Sequence, residues 1–468
     1  MPATGRFREI SEPLALDPRR ARVYEHGWQS WSPTGAYPID LAVSPRPRRP
    51  EWQAMAFRPE APGPAAGFRS EGLLIIDPGD GPALTWVAAE PERQAPAILV
   101  ERDAVDADRY HVSADGPVVA LPAADGLDGA LGALGAHLVR HLELSAPRSL
   151  GPGWCSWYTY WGEVTEADVV ENVEAMDRLD LDVRIVQVDD GHQSEIGDWL
   201  EPSGRIPSMA GLATRIRQTG REAGIWTAPF LVGARSRLAR EHPDWLVRDA
   251  IAAPHHWGQP IHVLDVSHPA AAEHLAGVYR TLRAWGYTYH KLDFLYGGAM
   301  VGGRHADIDP IAAYRRGLEL IREAIGPDGT IVGCGAPMLP SIGLVDAMRV
   351  SPDIDVRREP PDGDISQPSQ RAALATGRAR AWMHGRLWVN DPDCLIVREE
   401  VEARDTWAEH VETYGALAVS SDPLARLDDH GLALTRRLLR PSSPGPIGWL
   451  PDAGPDGGRM VRDVEAKP

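Results

Sequence analysis

From Gly151 onward the chain alternates short apolar runs with amphipathic stretches, and that rhythm confines it to an α/β architecture with a parallel sheet. Eight candidate strands can be counted, at 153–157, 183–188, 224–227, 288–292, 330–334, 347–350, 387–390 and 417–420. Between them, 166–179, 209–220, 269–284, 310–325 and 371–383 carry the spacing of helices. Eight strands with intervening helices favour a closed (β/α)8 TIM barrel over an open doubly wound sheet. The region before it has another texture. Runs at 72–76, 83–88 and 97–100, separated by turn signals such as Pro78-Gly79-Asp80-Gly81, read as an all-β domain. Residues 124–144 look helical and lead into the barrel, whereas 441–468 is dense in Pro, Gly and Asp and reads as loop. The expected organisation is an N-terminal β-domain at 1–147, a catalytic barrel at 148–430 and a short tail at 431–468.

Composition narrows the function. No apolar run approaches the roughly 18 residues a membrane helix needs, and Met1 to Arg20 lacks the apolar centre of a secretory leader. Cys155, Cys334 and Cys394 are odd in number and have no ligand-like spacing, which argues against a disulfide framework or zinc site. A reduced, cytoplasmic setting is expected. The net charge of −18 argues against nucleic acid or anionic membrane as a partner, since those surfaces need basic patches. Sixteen tryptophans stand beside five phenylalanines, and indole faces suit sugar rings as well as cores. Lysine occurs only at Lys291 and Lys467.

Carboxylates gather where the candidate strands end. Asp189 and Asp190 follow the second strand, Asp293 ends the fourth, and Asp353 and Asp355 follow the sixth. Catalytic groups of barrels sit at the C-terminal ends of strands, so these acids would line one pocket. An Asp after a strand can equally be a helix N-cap, and the case rests on three such sites together with Lys291. Two acids in an aromatic pocket fit glycoside hydrolysis, one attacking the anomeric carbon and the other protonating the leaving oxygen. Lys291, two residues before Asp293 on a strand, points to the same side and would hold Asp293 ionised. Asp353, close to other carboxylates, would keep its proton and act as the acid. Arg349 could bind the sugar or orient an acid. Asp355 reads as a bystander.

The motifs 153–158 (GWCSWY), 187–190 (QVDD), 224–230 (GIWTAPF), 291–295 (KLDFL), 333–335 (GCG), 349–353 (RVSPD) and 388–394 (WVNDPDC) occur in that order. This series resembles the α-galactosidases of glycoside hydrolase family thirty-six, in their compact bacterial form, from about Gly27 to Leu439. The resemblance implies a retaining, exo-acting α-galactosidase with Asp293 as nucleophile and Asp353 as acid/base. It implies that Asp189 and Asp190 bind the 4- and 6-hydroxyls, that Lys291, Cys334 and Arg349 make further sugar contacts, and that Trp226 forms an aromatic wall. It also implies an N-terminal β-sandwich-type domain lending Trp31, from Gly27-Trp28-Gln29-Ser30-Trp31, while the family's usual C-terminal β-domain is expected to be reduced or absent here. A small carbohydrate is the expected partner, a homo-oligomer is possible, and no metal or organic cofactor is required.

Three other readings compete. A Schiff-base barrel would use Lys291, a metal-dependent hydrolase would use His290, Asp293 and Asp189, and a silent sugar-binding barrel would lack one acid. Within the glycosidases, an α-N-acetylgalactosaminidase is the nearest rival, decided by room around Cys334.

Overall fold

The computed structural model describes residues 7–41, 44–45, 55–58, 64, 66–414, 417–442 and 445–446. The expected tail beyond 446 lies outside the described residues.

Eight parallel strands form the central sheet: β1 Gly153–Cys155, β2 Ile185–Val188, β3 Glu222–Thr227, β4 Tyr287–Leu292, β5 Thr330–Gly333, β6 Ala347–Arg349, β7 Val389–Asp391 and β8 Val419–Ser420. Their order is 7-6-5-4-3-2-1-8, with β8 returning to pair with β1 in parallel register. The seam between β7 and β8 is bridged by Leu417 N–H donating to the Asn390 carbonyl at 3.1 Å and Leu395 N–H donating to the Val419 carbonyl at 2.7 Å. All eight expected strands exist, within a few residues at their ends. β2, β5, β6 and β7 are buried along their whole length, as parallel strands covered on both faces must be.

The helices follow from local chemistry. Glu166–Arg178 opens on a capping box between Thr165 and Asp168, and Pro310–Ile325 opens on Asp309 with proline in its first turn. The expected helix at 371–383 is shorter, Gln370–Ala379, and a 3-10 turn at Ala381–Met383 follows it. Arg404–Tyr414 and Asp429–Leu438 are helices the sequence reading did not find. The second buries Leu434 and Leu438 and spans the position at which the catalytic domain was expected to end. Between β3 and β4 the chain makes an unforeseen excursion, an antiparallel sheet of Leu231–Gly233, Leu246–Ala253 and Ile261–Leu264.

Before the barrel lie two antiparallel sheets. One orders Arg8–Glu9, Arg109–Ala114, Ala97–Arg102 and Phe68–Glu71, with Leu14–Ala15 also on Arg109–Ala114; the other orders Val118–Asp125, Pro82–Ala88, Leu73–Asp77, Arg22–Glu25 and Gly35–Pro38. Val23, Leu74, Ile76 and Trp86 of the second sheet share a core with Phe68, Ile98, Val100 and Val112 of the first. The segment after Glu25 docks on the barrel: Ser30 N–H donates to the Ala336 carbonyl and Met338 N–H to the Trp28 carbonyl, each at 3.0 Å. Arg380, wholly buried, donates to the carbonyls of Gln29 at 3.0 Å and Ser32 at 3.1 Å, and also to that of Val350 at 3.1 Å. One guanidinium thus joins the N-terminal segment to the end of β6.

Candidate active site

A cavity opens at the C-terminal end of the central sheet. Trp31, Asp189, Asp190, Trp226, Lys291, Asp293 and Asp353 line it together with Trp157, His256, Trp257 and Phe294. Seven of the nine residues singled out from the sequence therefore meet in one place. Cys334 and Arg349, 1% and 2% exposed, lie behind that lining.

Asp293 leaves the end of β4 with both oxygens engaged. Oδ1 accepts the Phe294 N–H at 2.8 Å, and Oδ2 accepts the indole N–H of Trp226 at 3.0 Å. Trp226 is thus a hydrogen-bond donor to the expected nucleophile as well as a wall. Lys291 Nζ stands 3.9 Å from Asp293 but 2.9 Å from Asp189, so its nearer partner is Asp189. Burial lowers the proton affinity of Lys291, yet the charges of Asp189 and Asp293 outweigh it and drive the ammonium well above its ordinary range. A Schiff base needs a neutral amine, and this environment opposes one.

Asp189 is saturated. Its Oδ2 accepts Gln187 at 2.6 Å, Lys291 at 2.9 Å and the Cys155 thiol at 3.3 Å, and its Oδ1 accepts the Asp190 N–H at 3.0 Å. Asp190 accepts Gln193 at 2.6 Å and Trp257 Nε1 at 2.7 Å. Its burial raises its affinity for a proton, and those two hydrogen bonds resist that. Trp257 comes from the excursion between β3 and β4 and adopts a left-handed backbone, φ 51° and ψ 28°.

Asp353 stands across the cavity, four residues beyond β6. Its side chain is 37% exposed through the cavity, yet protein surrounds it. Arg349 Nη1 donates to Oδ1 at 2.9 Å. Burial raises the Asp353 pKa; Arg349 opposes the rise and the charge of Asp293 adds to it. Arg349 also holds Asp393 at 2.7 Å and lies 3.6 Å from Asp391. Asp393, buried with a positive φ of 91°, accepts the Tyr158 hydroxyl at 2.5 Å and the Ile354 N–H at 2.9 Å. Burial lifts its carboxyl to about 6 against the pull of Arg349. Asp355 turns to Arg357 at 2.7 Å, on the outside.

His290 follows the alternation of β4 and is wholly buried against the ring of Tyr279. That removes the imidazole from the metal reading, and among the described residues no cluster of three His, Cys, Asp or Glu is arranged to hold a metal. The thiol of Cys334 is kept protonated, by burial first and by Asp293 second. Trp31, carried in by the docked N-terminal segment, has a buried indole N–H with no partner among the described residues.

Trp257, Asp391, Asp393 and Tyr158 were not singled out as site residues. Asp391 and Asp393 stand at the end of β7, the same signal that exposed Asp293, within the quoted 388–394 motif. The run His255-His256-Trp257-Gly258, aromatic residues beside a glycine in a long connection, was the trace of Trp257.

Comparisons with known proteins bear on the whole chain. The melibiase family model matches residues 163–307. An α-galactosidase from Thermus thermophilus, solved with stachyose, is 30% identical, with 89% of this chain and 90% of that chain covered and a TM-score of 0.75. The same enzyme solved with p-nitrophenyl α-D-galactopyranoside matches at 28% identity and a TM-score of 0.75, covering 92% and 91%. An α-galactosidase from Geobacillus stearothermophilus is 28% identical over 147 residues, 30% of this chain and 20% of its own length. The chain spans only 11–20% of the lengths of the curated relatives it matches. No described helix is long and apolar enough to cross a membrane. With the strands, the acids and a likeness to the Thermus enzyme over about nine-tenths of both chains in agreement, the chain belongs to the melibiase family of GH36-type α-galactosidases.

Proposed function

We propose that this chain is a retaining exo-acting α-galactosidase that removes terminal α-D-galactosyl residues from small oligosaccharides. One observation carries the reading: Asp293 and Asp353 face one cavity in unlike surroundings, the first gripped on both oxygens, the second raised by burial. Asp293 attacks the anomeric carbon. Asp353, keeping its proton to higher pH than an ordinary carboxyl, gives it to the departing oxygen, then takes one from water that cleaves the galactosyl-enzyme.

The remaining residues bind. Asp190 faces the sugar hydroxyls, and Lys291 with Asp189 forms a charged floor beneath them. Trp31 offers its indole N–H, which meets no acceptor among the described residues, and its ring. Cys334 and Arg349 act from behind the lining, Arg349 by orienting Asp353. A sandwich-type unit up to 147 supplies Trp31, and the catalytic barrel runs from 148 to about 430, with the helix Asp429–Leu438 packed at its end. Three buried free thiols suit a cytoplasmic setting.

The test is nitrophenol release from the 4-nitrophenyl α-galactoside, α-glucoside and α-N-acetylgalactosaminide by wild type and Asp293→Ala. Selective α-galactoside cleavage that vanishes in the variant is expected. Preference for the N-acetylgalactosaminide would hand the site to the rival glycosidase, and no cleavage by folded wild type would leave a silent barrel.

A further inference from the structure

The aromatic lining of the cavity that Asp353 shares continues outward. Trp157 lines the cavity; Trp161 packs edge-on against it with ring centroids 4.9 Å apart, and against Tyr158 at 5.5 Å. Trp161 is nevertheless 50% exposed. Its backbone sits at φ 50° and ψ −146°, beside a region that only glycine enters without strain. A single exposed tryptophan needs no explanation. A strained one does, because the surrounding structure must hold it there.

The loop around it is anchored from several directions. Tyr158 N–H and the Thr159 hydroxyl bond to Ser421 at 2.9 and 2.7 Å, and Asn172 donates to the Tyr160 hydroxyl at 2.7 Å. Arg205 donates to the Gly162 carbonyl at 2.5 Å and the Gly191 carbonyl at 3.4 Å. Gly191, immediately after Asp190, has a φ of 111°, and a Cβ there would lie 2.5 Å from the Gly162 oxygen. The backbone that presents Trp161 is therefore pressed onto the loop that carries Asp189 and Asp190. The Tyr158 hydroxyl joins the same loop to Asp393, whose partner Arg349 holds Asp353.

Trp161 thus stands just outside the cavity that Asp353 lines, on a loop tied to that acid through Tyr158, Asp393 and Arg349. A group that protonates the glycosidic oxygen has the leaving group beside it, so a leaving sugar emerges along Trp157 toward Trp161. We propose that the exposed face of Trp161 is a platform for the pyranose ring of the leaving group, a subsite for the aglycone of an α-galactosyl oligosaccharide. The apolar C–H face of a pyranose lies flat on indole while its hydroxyls remain in water. The inference rests on the α-galactosidase reading and deepens it. A rigid, pre-formed platform binds without ordering a loop, which gives the strained backbone a use.

Two substrates separate the platform from the chemistry. α-Galactosyl fluoride carries no second ring, whereas raffinose carries a full oligosaccharide leaving group. Trp161→Ala is expected to leave kcat/KM for the fluoride within about twofold of wild type and to lower that for raffinose by roughly 3- to 10-fold, the size of one aromatic ring contact. Trp161→Phe should recover part of the loss. An equal fall on both substrates would make Trp161 a structural prop, and no change on either would make it an idle surface residue. A change in sedimentation with unaltered raffinose kinetics would assign the face to a second copy of the chain. Each of those three results overturns the proposal, while wild type inert toward both substrates would sink the α-galactosidase reading instead.

Discussion

Asp293 and Asp353 are the same side chain at the mouth of the same sheet, and the two sides of the cavity treat them differently. On the β4 side, donors converge: Phe294 N–H and the Trp226 indole N–H fill both oxygens of Asp293, with Lys291 shared toward Asp189. On the β6–β7 side a single cation, Arg349, is divided among Asp353, Asp391 and Asp393, and Asp353 receives one part of it. On the proposed mechanism, the first arrangement holds a side chain still for attack, and the second leaves a carboxyl able to hold and release a proton. The difference teaches that the division of labour lies in how donors are apportioned around each acid.

The largest expected effect breaks the pair apart chemically. Asp293→Ala should lower turnover by more than about 10⁴-fold, beyond the usual share of a single acid–base group, whichever leaving group is used. Asp353→Ala should lose about 10²–10⁴-fold on raffinose, whose leaving oxygen needs a proton, and far less on the 4-nitrophenyl galactoside, which does not. Steady-state rates on both substrates decide it; a leaving-group dependence seen in Asp293→Ala instead would reverse the assignments.

Arg349→Met tests the shared cation. It leaves Asp393 buried and unpaired, so the unfolding free energy should fall by about 3–5 kcal/mol in a denaturant titration. A loss below about 1 kcal/mol would mean that Asp393 meets its needs through Tyr158 and the backbone.

Trp226→Phe probes the other side. It keeps a ring and removes one hydrogen bond to a carboxylate, worth about 1.5 kcal/mol or more, so kcat/KM should drop roughly tenfold with folding intact. An unchanged value would leave Trp226 as wall alone.

The smallest effect is a displacement along the pH axis. Asp353 must be protonated to start the reaction, so kcat/KM falls as pH rises through its raised pKa. In Asp393→Asn the freed Arg349 turns its charge to Asp353, favouring the ionised form, and the alkaline limb should move to lower pH. Movement the other way would show that Arg349 is not a shared resource.

Much of this was legible beforehand because its causes are local. The strands that carry Asp189, Asp293 and Asp353 declare themselves by short apolar runs ending in acids, and Lys291 by its two-residue spacing on a strand. The helix Arg404–Tyr414 escaped because its run RDTWAEHVETY shows little apolar periodicity. Other site partners escaped because their contacts join distant residues: Trp257 meets Asp190 across 67 positions and Tyr158 meets Asp393 across 235.

The sequence by itself determined the kind of sheet, the places where acids could stand and the family to which they belong, since periodicity and residue order survive without coordinates. Only the tertiary structure decided that Lys291 serves Asp189 before Asp293, that Arg349 works behind the lining, that Trp226 donates to Asp293, and that a strained Trp161 faces outward. Those outcomes depend on distances of about 3 Å between separate loops, and hydrogen bonds and ion pairs at that range are set by packing rather than by order along the chain.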